Sequence, residues 1–513
     1  MSSSSDLETQ GTSGSVDMVH IASGAGVNFV GTVLRTIFSF GTTLLISHVL
    51  QVSQLGYYSL GTALAFVGLY ACGFGLDMGL WRYISSYYAQ RDFSKLRGAF
   101  FGSILISLPV GIIFAILLVL FAEPISRLVF SNNNFAFPLR MFAITIPLLL
   151  LARIFNAATQ GFQIMRYAVF RDIIEQGLRF FLTAGLFLLG LRLGGALWAN
   201  LIAVMVVTVI SLYFLEKVYP MLTARKKIKM RLGETIKFSA PMGLSQVLAY
   251  LLLYMDTILL GYFGTAHQVG LYSVAVRVIL IAATVQVAFS TMFAPVISEL
   301  ITRSRQGDLA ELYTKVTRWT IMLSLPIFLP LMIFPSYVLK VFGPQFTVVS
   351  GSLIILTIGQ LINILTGPVG VMIIMSGRSG LELFNNLLSW MISLAICVIF
   401  IPRLGIPGAA IANASAAASV NILRAIEVYL LMKVQPYSFN FLKLGVASLI
   451  ACLLTLLGFN LVPIGSGIAS VIVWTLVLIT LYGASIILMG MDKDDSAMLS
   501  QFRAKLAKAK VAG

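Results

Sequence analysis

The stretch VGLYSVAVRVIL at Val269–Leu280 has the composition of a transmembrane helix, except that it contains Arg277. Its first half repeats LGYYSL at Leu55–Leu60, which lies 214 positions earlier. Two further pairs occur in the same order at similar offsets: GALWAN at Gly195–Asn200 with GAAIAN at Gly408–Asn413, and ILISLP at Ile104–Pro109 with IMLSLP at Ile321–Pro326. Three matches in one order predict a duplicated unit.

The composition is that of a polytopic membrane protein. Hydrophobic residues make up 58% of the 513 residues and charged residues only 11%, far from the averages of soluble domains. A helix needs about 20 apolar residues to cross about 30 Å of hydrocarbon. Fourteen runs of this kind occur, at residues 22–50, 56–88, 98–122, 135–163, 168–191, 195–217, 236–262, 270–300, 316–342, 347–375, 381–401, 407–432, 441–461 and 467–490. None alternates strictly, so helices are expected.

The apolar runs and the internal repeat together predict an all-α fold with about 14 transmembrane helices. Each copy of the repeat holds six crossings, an even number, so the copies are parallel and related by an axis along the membrane normal. Two six-helix bundles facing each other predict a central cavity and alternating access, although a duplication kept only for packing is the alternative. The predicted division is a disordered cytoplasmic lead at 1–20, bundles at 21–217 and 236–433 joined by a basic loop at 218–235, two further helices at 434–490 and a basic amphipathic tail at 491–513.

The formal net charge of +16 follows membrane topology. With the N-terminus placed inside, most Lys and Arg residues fall on cytoplasmic loops, as the positive-inside rule requires. We therefore expect a multi-pass plasma-membrane protein with both termini in the cytoplasm, and no nucleic-acid partner. The basic residues predicted outside the membrane are Arg127, Arg140, Arg192, Lys340 and Arg403.

No cofactor motif is present in the sequence. The cysteines and histidines have no metal-ligand spacing, and no phosphate-binding glycine motif occurs in a suitable context. Metal, catalytic residues and nucleotide are therefore not expected, and a coupling ion, H⁺ or Na⁺, stays open. The residues concerned are Cys72, Cys397, Cys452, His20, His48 and His267.

Polar residues inside the predicted helices are the candidate site. A charge at the centre of a bilayer costs on the order of 3 kcal/mol or more, so such residues normally face a bundle interior or a wet cavity. Arg35 has no obvious acid on its own helix, so an anion-binding role is predicted for it, and Arg277 is the second deep cation. The residues predicted to line the cavity or to pair with these charges are Asn28, Thr32, Ser39, Asp77, Asp256 and Thr284.

Depth along the helices suggests one ion pair. At about 1.5 Å of rise per residue, Asp256 lies about 9 Å and Arg277 about 12 Å below the same outer surface. Arg277 is thus either the structural partner of Asp256 or a residue that binds an anion. Glu175 and Arg179 have the i, i+4 spacing of a helical pair near the inner surface, where snorkelling is common.

Three segments resemble a known family: SAPMGLSQVLAYLLLYMDTILLGYF at Ser239–Phe263, GLYSVAVR at Gly270–Arg277 and RLGIPGAAIAN at Arg403–Asn413. They are similar to oligosaccharide flippases of the multidrug/oligosaccharidyl-lipid/polysaccharide (MOP) exporter superfamily. The resemblance implies movement of an undecaprenyl- or dolichyl-linked (pyro)phosphate oligosaccharide from the cytoplasmic to the outer leaflet. It also implies a cationic cavity, with Arg35 and Arg277 at positions where such proteins carry cavity cations. On this resemblance Arg35 and Arg277 are the predicted phosphate-binding residues, and planar guanidinium groups suit that role because they bind phosphate oxygens in bidentate fashion.

Two alternatives are open. A cation-coupled multidrug antiporter of the same superfamily resembles the fold, but Arg35 and Arg277 would repel cationic drugs. A membrane polymerase or ligase acting on lipid-linked sugars generally needs a sizeable outer loop, and the predicted outer loops are short. We therefore expect a monomeric transporter without enzyme activity. Its expected partners are the lipid-linked oligosaccharide and membrane lipids, with polysaccharide-assembly enzymes as further candidates.

Overall fold

The computed structural model describes residues 13–223, 228–230, 232–437, 440–461 and 468–488. These residues form helices and connecting turns, with no β-strand among them. The α-helices are α1 (Ser13–Val49), α2 (Val52–Gly73), α3 (Leu76–Ala89), α4 (Phe93–Leu120), α5 (Ala122–Pro124), α6 (Ala136–Gly161), α7 (Met165–Leu188), α8 (Leu193–Val218), α9 (Leu232–Phe263), α10 (Ala266–Ala282), α11 (Thr284–Thr302), α12 (Gln306–Ile333), α13 (Pro335–Lys340), α14 (Ser350–Thr366), α15 (Val369–Met375), α16 (Ser379–Leu404), α17 (Ile406–Met432), α18 (Asn440–Leu461) and α19 (Ile468–Leu488).

The predicted all-helical polytopic fold is confirmed. Among the described residues, thirteen helical segments are long and apolar enough to cross a membrane. The one predicted run that is not among these thirteen segments is at residues 168–191. It corresponds to α7, which has 24 residues. It differs from the others because Arg171, Asp172, Glu175 and Arg179 lie within it.

Four predicted runs are each divided into two helices, and one of them, at 316–342, breaks at Phe334 between α12 and α13. The run at 56–88 breaks between α2 and α3, where Phe74 and Gly75 both have positive φ angles, of 49° and 66°. The run at 347–375 breaks between α14 and α15 at Gly367, with φ 73°, which is followed by Pro368. The run at 270–300 breaks at Ala283, between α10 and α11. Hydropathy reports the apolar length of a segment and not its backbone angles, so it does not reveal these breaks.

The N-terminal boundary differs from the sequence-based expectation. Helix α1 begins at Ser13, so residues 13–20 are helical although they were assigned to a disordered lead. A helix does not have to end where the hydrocarbon ends, because its backbone is bonded internally on either side of that boundary. The predicted amphipathic tail at 491–513 lies outside the described residues, and the other domain boundaries stay predictions.

The two copies of the repeat meet at the predicted outer face. A Cβ atom added to Gly56 in α2 would lie 1.8 Å from the carbonyl oxygen of Ala266, and one added to Gly270 in α10 would lie 1.9 Å from the carbonyl oxygen of Val52. Val52 and Ala266 are themselves 214 positions apart, the offset of the repeat. The contact is therefore reciprocal, as a two-fold axis along the membrane normal produces. Glycine at both positions lets the two backbones touch.

A second contact closes the predicted inner face. There the turn between α2 and α3 packs against α9, and a Cβ atom on Gly75 would lie 2.4 Å from the backbone nitrogen of Gly243. The N-terminal bundle (α1–α8) and the C-terminal bundle (α9–α17) are thus in contact at two levels, and helices α18 and α19 pack outside them on α12 and α13. The space between the two levels contains the cavity.

Candidate functional site

A cavity of about 540 Å³ lies between the two bundles. Its walls come from α1, α2, α6, α7 and α8 of the N-terminal bundle and from α9, α10 and α11 of the C-terminal bundle. Polar side chains are Arg35, Thr36, Ser39, Thr42, Thr43, Tyr58, Thr62, Thr145, Gln176, Asn200, Arg179, Tyr254, Arg277 and Thr284, and apolar ones are Ala65, Phe66, Phe142, Leu149, Val204, Leu280 and Ile281.

Three of the lining residues are arginines and none is a carboxylate. Arg277 has no acidic partner within 4.0 Å among the residues that the structure describes. Its Nη1 donates to Thr43 Oγ1 at 3.3 Å, and its guanidinium lies 5.8 Å from the centre of the Tyr58 ring. A half-buried cation that contacts a hydroxyl and an aromatic face, and has no acid beside it in the described part of the chain, favours an anionic ligand.

The other two cavity arginines are paired with acids on α7. Arg35 Nη1 lies 3.6 Å from Asp172 Oδ2, and both side chains are substantially exposed, at 43% and 35%. Arg179 Nη2 donates to Glu175 Oε1 at 2.9 Å, with both side chains largely buried. The loose Arg35 pair therefore exchanges partners more easily than the Arg179 pair, because exposed ion pairs are worth little.

The rest of the lining suits a hydroxyl-rich ligand. Serine, threonine and asparagine side chains offer both donors and acceptors. The Phe66 and Tyr254 rings stack with their centres 5.9 Å apart and give the cavity a flat apolar wall. An oligosaccharide has hydroxyls on its rim and flat C–H faces, so it matches both kinds of surface.

The structure brings four of the predicted site residues to one cavity, namely Arg35, Ser39, Arg277 and Thr284. Thr32 is not a lining residue, and its carbonyl accepts a hydrogen bond from Thr36 Oγ1 at 2.8 Å. The side chain of Asn28 lies outside the described residues. The binding roles assigned to these residues stay predictions.

The suggested pair of Asp256 with Arg277 is wrong. Asp256 is 1% exposed and accepts hydrogen bonds from the Tyr272 hydroxyl at 2.5 Å and from Asn413 Nδ2 at 2.8 Å. Tyr272 precedes Arg277 by five residues, about 140° around α10. The two side chains therefore leave α10 on different sides, and Asp256 is directed away from the cavity.

Asp77 also lies away from the cavity lining. It forms an ion pair with Arg153 on α6, and Arg153 Nη2 also lies 3.5 Å from Gln246 Oε1 on α9. The Arg153 guanidinium is 3.8 Å from the centre of the Tyr70 ring, and Tyr70 stacks on Tyr250 of α9. Arg153 and Tyr70 of the N-terminal bundle therefore contact α9 of the C-terminal bundle near the predicted inner face.

Sequence reasoning missed the contribution of α7. Arg179 was interpreted as a snorkelling residue paired with Glu175; the pair exists, yet Arg179 and Gln176 line the cavity. The density of charge within the run at 168–191 was the available signal. Asn200 was also missed, although it ends the repeat segment GALWAN, whose second copy ends at Asn413 beside Asp256.

An all-helical fold with a cationic cavity between two bundles is an architecture that membrane transporters use. The chain belongs to the family described as polysaccharide biosynthesis protein, whose model matches residues 21–301. One curated relative is the probable low-salt glycan biosynthesis flippase Agl15 of Haloferax volcanii, 28% identical over 232 residues. That match covers 45% of this chain and 48% of the relative, so the chain spans about half the length of that flippase.

Solved structures show the same fold. The lipid II flippase MurJ, in an inward closed conformation, aligns with a TM-score of 0.70 at 14% identity over 91% of this chain and 98% of that chain. An inward-facing multidrug resistance transporter of the MATE family, a branch of the MOP superfamily, aligns with a TM-score of 0.67 at 17% identity over 80% of this chain and 98% of that chain. The chain is a multi-pass membrane protein with the MOP-superfamily fold.

Proposed function

We propose that this protein is a flippase that moves a polyprenyl-(pyro)phosphate-linked oligosaccharide from the cytoplasmic to the outer leaflet by alternating access. The observation that carries the proposal is the lining of the cavity, where Arg35, Arg179 and Arg277 occur without a lining carboxylate. The glycan-biosynthesis flippase of Haloferax volcanii supports the same class of activity. Movement of the headgroup serves polysaccharide or glycoconjugate export.

The charge of the cavity lining favours a phosphate ligand. Arg35 and Arg179 are each paired with one acid, Asp172 and Glu175, whereas Arg277 has no acidic partner among the described residues. The cavity arginines therefore exceed their paired carboxylates by one. A phosphate or diphosphate group has the opposite charge and would neutralise this excess.

The two levels of contact between the bundles fit alternating access. Gly56 and Gly270 hold the predicted outer face together, while Gly75 and Gly243 do so at the predicted inner face. Opening one level at a time would expose the cavity to one side of the membrane only. The lipid chain would stay in the bilayer while phosphate and sugar cross between the bundles.

The cavity gives less support to the antiporter alternative. A transporter of organic cations needs an acid that faces its ligand, and the deep acids Asp77 and Asp256 are bonded elsewhere. An uncharged Phe66 and Tyr254 wall could accept an aromatic drug, but three arginines would oppose a cation by like-charge repulsion.

The proposal is tested by transport in proteoliposomes. A polyprenyl diphosphate that carries a short fluorescent glycan is incorporated, and its appearance in the opposite leaflet is followed by accessibility to a membrane-impermeant quencher. Protein-dependent movement is expected. A folded protein that leaves this lipid in place but transports cationic dyes would refute the flippase and support the antiporter. Formation of a longer glycan in the same vesicles would support the polymerase or ligase.

The direction of transport rests on the predicted topology. In a variant without Cys72, Cys397 and Cys452, a cysteine at Thr265 is expected to react with an impermeant thiol reagent applied outside intact cells. A cysteine at Ser304, in the turn that follows α11, is expected to react only after the membrane is made permeable. The opposite labelling pattern would reverse the assignment of the two faces.

A further inference from the structure

Helix α7 carries a ladder of charges across its middle. Arg171 Nη1 lies 2.9 Å from Asp172 Oδ1, and Arg171 Nη2 lies 3.1 Å from Glu175 Oε2. The other oxygen of Glu175 accepts from Arg179 Nη2 at 2.9 Å. Each oxygen of Glu175 therefore holds one arginine, one turn of helix to either side.

The two arginines of this ladder differ in location. Their side chains are similarly shielded, with 13% exposure for Arg171 and 18% for Arg179. Both also have a buried Nε with no hydrogen-bond partner in the described part of the chain. Only Arg179 lines the cavity, together with Arg277. A cation on the cavity wall can bind an anionic ligand there, whereas a cation away from the wall cannot.

We propose that Arg179 is a third phosphate-binding residue, and that Glu175 is its positioning residue. Glu175 fixes Nη2 of the guanidinium, so its remaining donors are left for a non-bridging phosphate oxygen. This inference rests on the proposed function, because it assigns a further ligand within the same cavity. The headgroup would then be bound by α7 and α10 from opposite bundles, through Arg179 and Arg277.

A purely structural ladder would have a different charge balance. Ion pairs that serve only to join helices need one acid for each base, since an uncompensated charge in a low-dielectric interior is unfavourable. Here Arg35, Arg171 and Arg179 share two acids. The surplus cation is next to the cavity, where Arg277 adds another.

Geranyl diphosphate is a suitable probe for the test. Its binding to purified protein in lipid nanodiscs is measured by isothermal titration calorimetry, with empty nanodiscs as the reference. Arg179→Gln is expected to weaken binding about tenfold, the loss of a charge-assisted hydrogen bond. The matched control Arg171→Gln removes the same charge from the same ladder but not from the cavity wall, and is expected to weaken binding less than Arg179→Gln does, because no direct hydrogen bond to the phosphate is lost.

Glu175→Gln tests the positioning role. It adds one positive charge to the site, so the affinity for any anion, including sulfate, is expected to rise. The preference for geranyl diphosphate over sulfate is expected to fall, because Arg179 is no longer fixed. A ratio equal to that of the wild type would overturn the positioning role.

The outcomes separate this inference from the proposed function. If the wild type does not bind the diphosphate, the proposed function fails and the Arg179 role fails with it. If the wild type binds and a folded Arg179→Gln binds equally well, or if Arg171→Gln weakens binding as much, only the Arg179 role is overturned. Should Arg179→Gln not fold, Arg179→Lys decides: weaker binding by a folded variant supports the role, because lysine keeps the charge but loses the fork, and unchanged binding overturns it.

Discussion

Replacement of Arg277 by glutamine separates ligand binding from stability. Arg277 Nη1 is engaged with Thr43, so Nε and Nη2 are available for a bidentate contact with phosphate. Two charge-assisted hydrogen bonds at the lower end of their usual range amount to about 3 kcal/mol, or about 150-fold in affinity. We therefore expect Arg277→Gln to bind geranyl diphosphate about two orders of magnitude more weakly.

The folded protein is expected to tolerate this change. The Thr43 hydroxyl keeps its own hydrogen bond to the Ser39 carbonyl, and removal of a cation that has no acidic partner within 4.0 Å among the described residues leaves no acid unpaired. The melting temperature should stay close to that of the wild type, while flipping in proteoliposomes is lost. Arg277→Lys should recover only part of the affinity, because an ammonium lacks the planar fork.

Arg153 provides the contrasting control. It is a largely buried arginine, 18% exposed, but it is paired with Asp77 and is not part of the cavity lining. Arg153→Gln leaves that carboxylate without its partner, so it is expected to destabilise the fold by about 3 kcal/mol and to affect affinity less than Arg277→Gln does. If Arg277→Gln lowered the melting temperature as Arg153→Gln does, while the folded fraction still bound diphosphate normally, the phosphate-binding role of Arg277 would be refuted.

Three further outcomes are expected. A double-mutant cycle of Asp256→Asn with Arg277→Gln should give a coupling energy below about 0.5 kcal/mol in thermal unfolding, since Asp256 is bonded to Tyr272 and Asn413 instead. Strong coupling would support the ion pair after all. Gly270→Ala should lower stability by about 1 to 3 kcal/mol, because its Cβ would meet the Val52 carbonyl, whereas Gly445→Ala, with nothing within 4 Å of its Cβ, should be neutral or stabilising; equal effects would contradict the close contact. An inside-negative potential should favour outward movement by about 2.3 kcal/mol per 100 mV for each negative charge that crosses, and indifference to potential would indicate that compensating ions move too.

The helical architecture was predictable because a bilayer imposes length and composition on every crossing segment. The repeat was also predictable from the sequence. Gly56 and Gly270 occupy equivalent positions in its two copies, and each lies against the other copy in the structure. Backbone breaks such as that at Gly367 were not readable, because a short deviation in φ leaves the mean hydropathy of the run unchanged.

The rise per residue predicts how far along its helix a residue lies, but not the direction in which its side chain points. Asp256 and Arg277 were assigned to similar levels, and this could not show whether the two side chains face each other. The packing of α9 against α10 and α17 decides this, and it involves residues distant in sequence, such as Asn413. Arg179 was missed for the related reason that a local i, i+4 pair with Glu175 explained it without reference to a cavity.

The lipid that the protein retains on gentle purification tests the central claim most directly. Native mass spectrometry of the detergent-extracted wild type is expected to show a bound polyprenyl phosphate or diphosphate with attached sugars. Arg277→Gln, purified in parallel, is expected to show the protein without it. A wild type that retains organic cations, or an Arg277→Gln variant that retains the same glycolipid in the same proportion, would contradict the account.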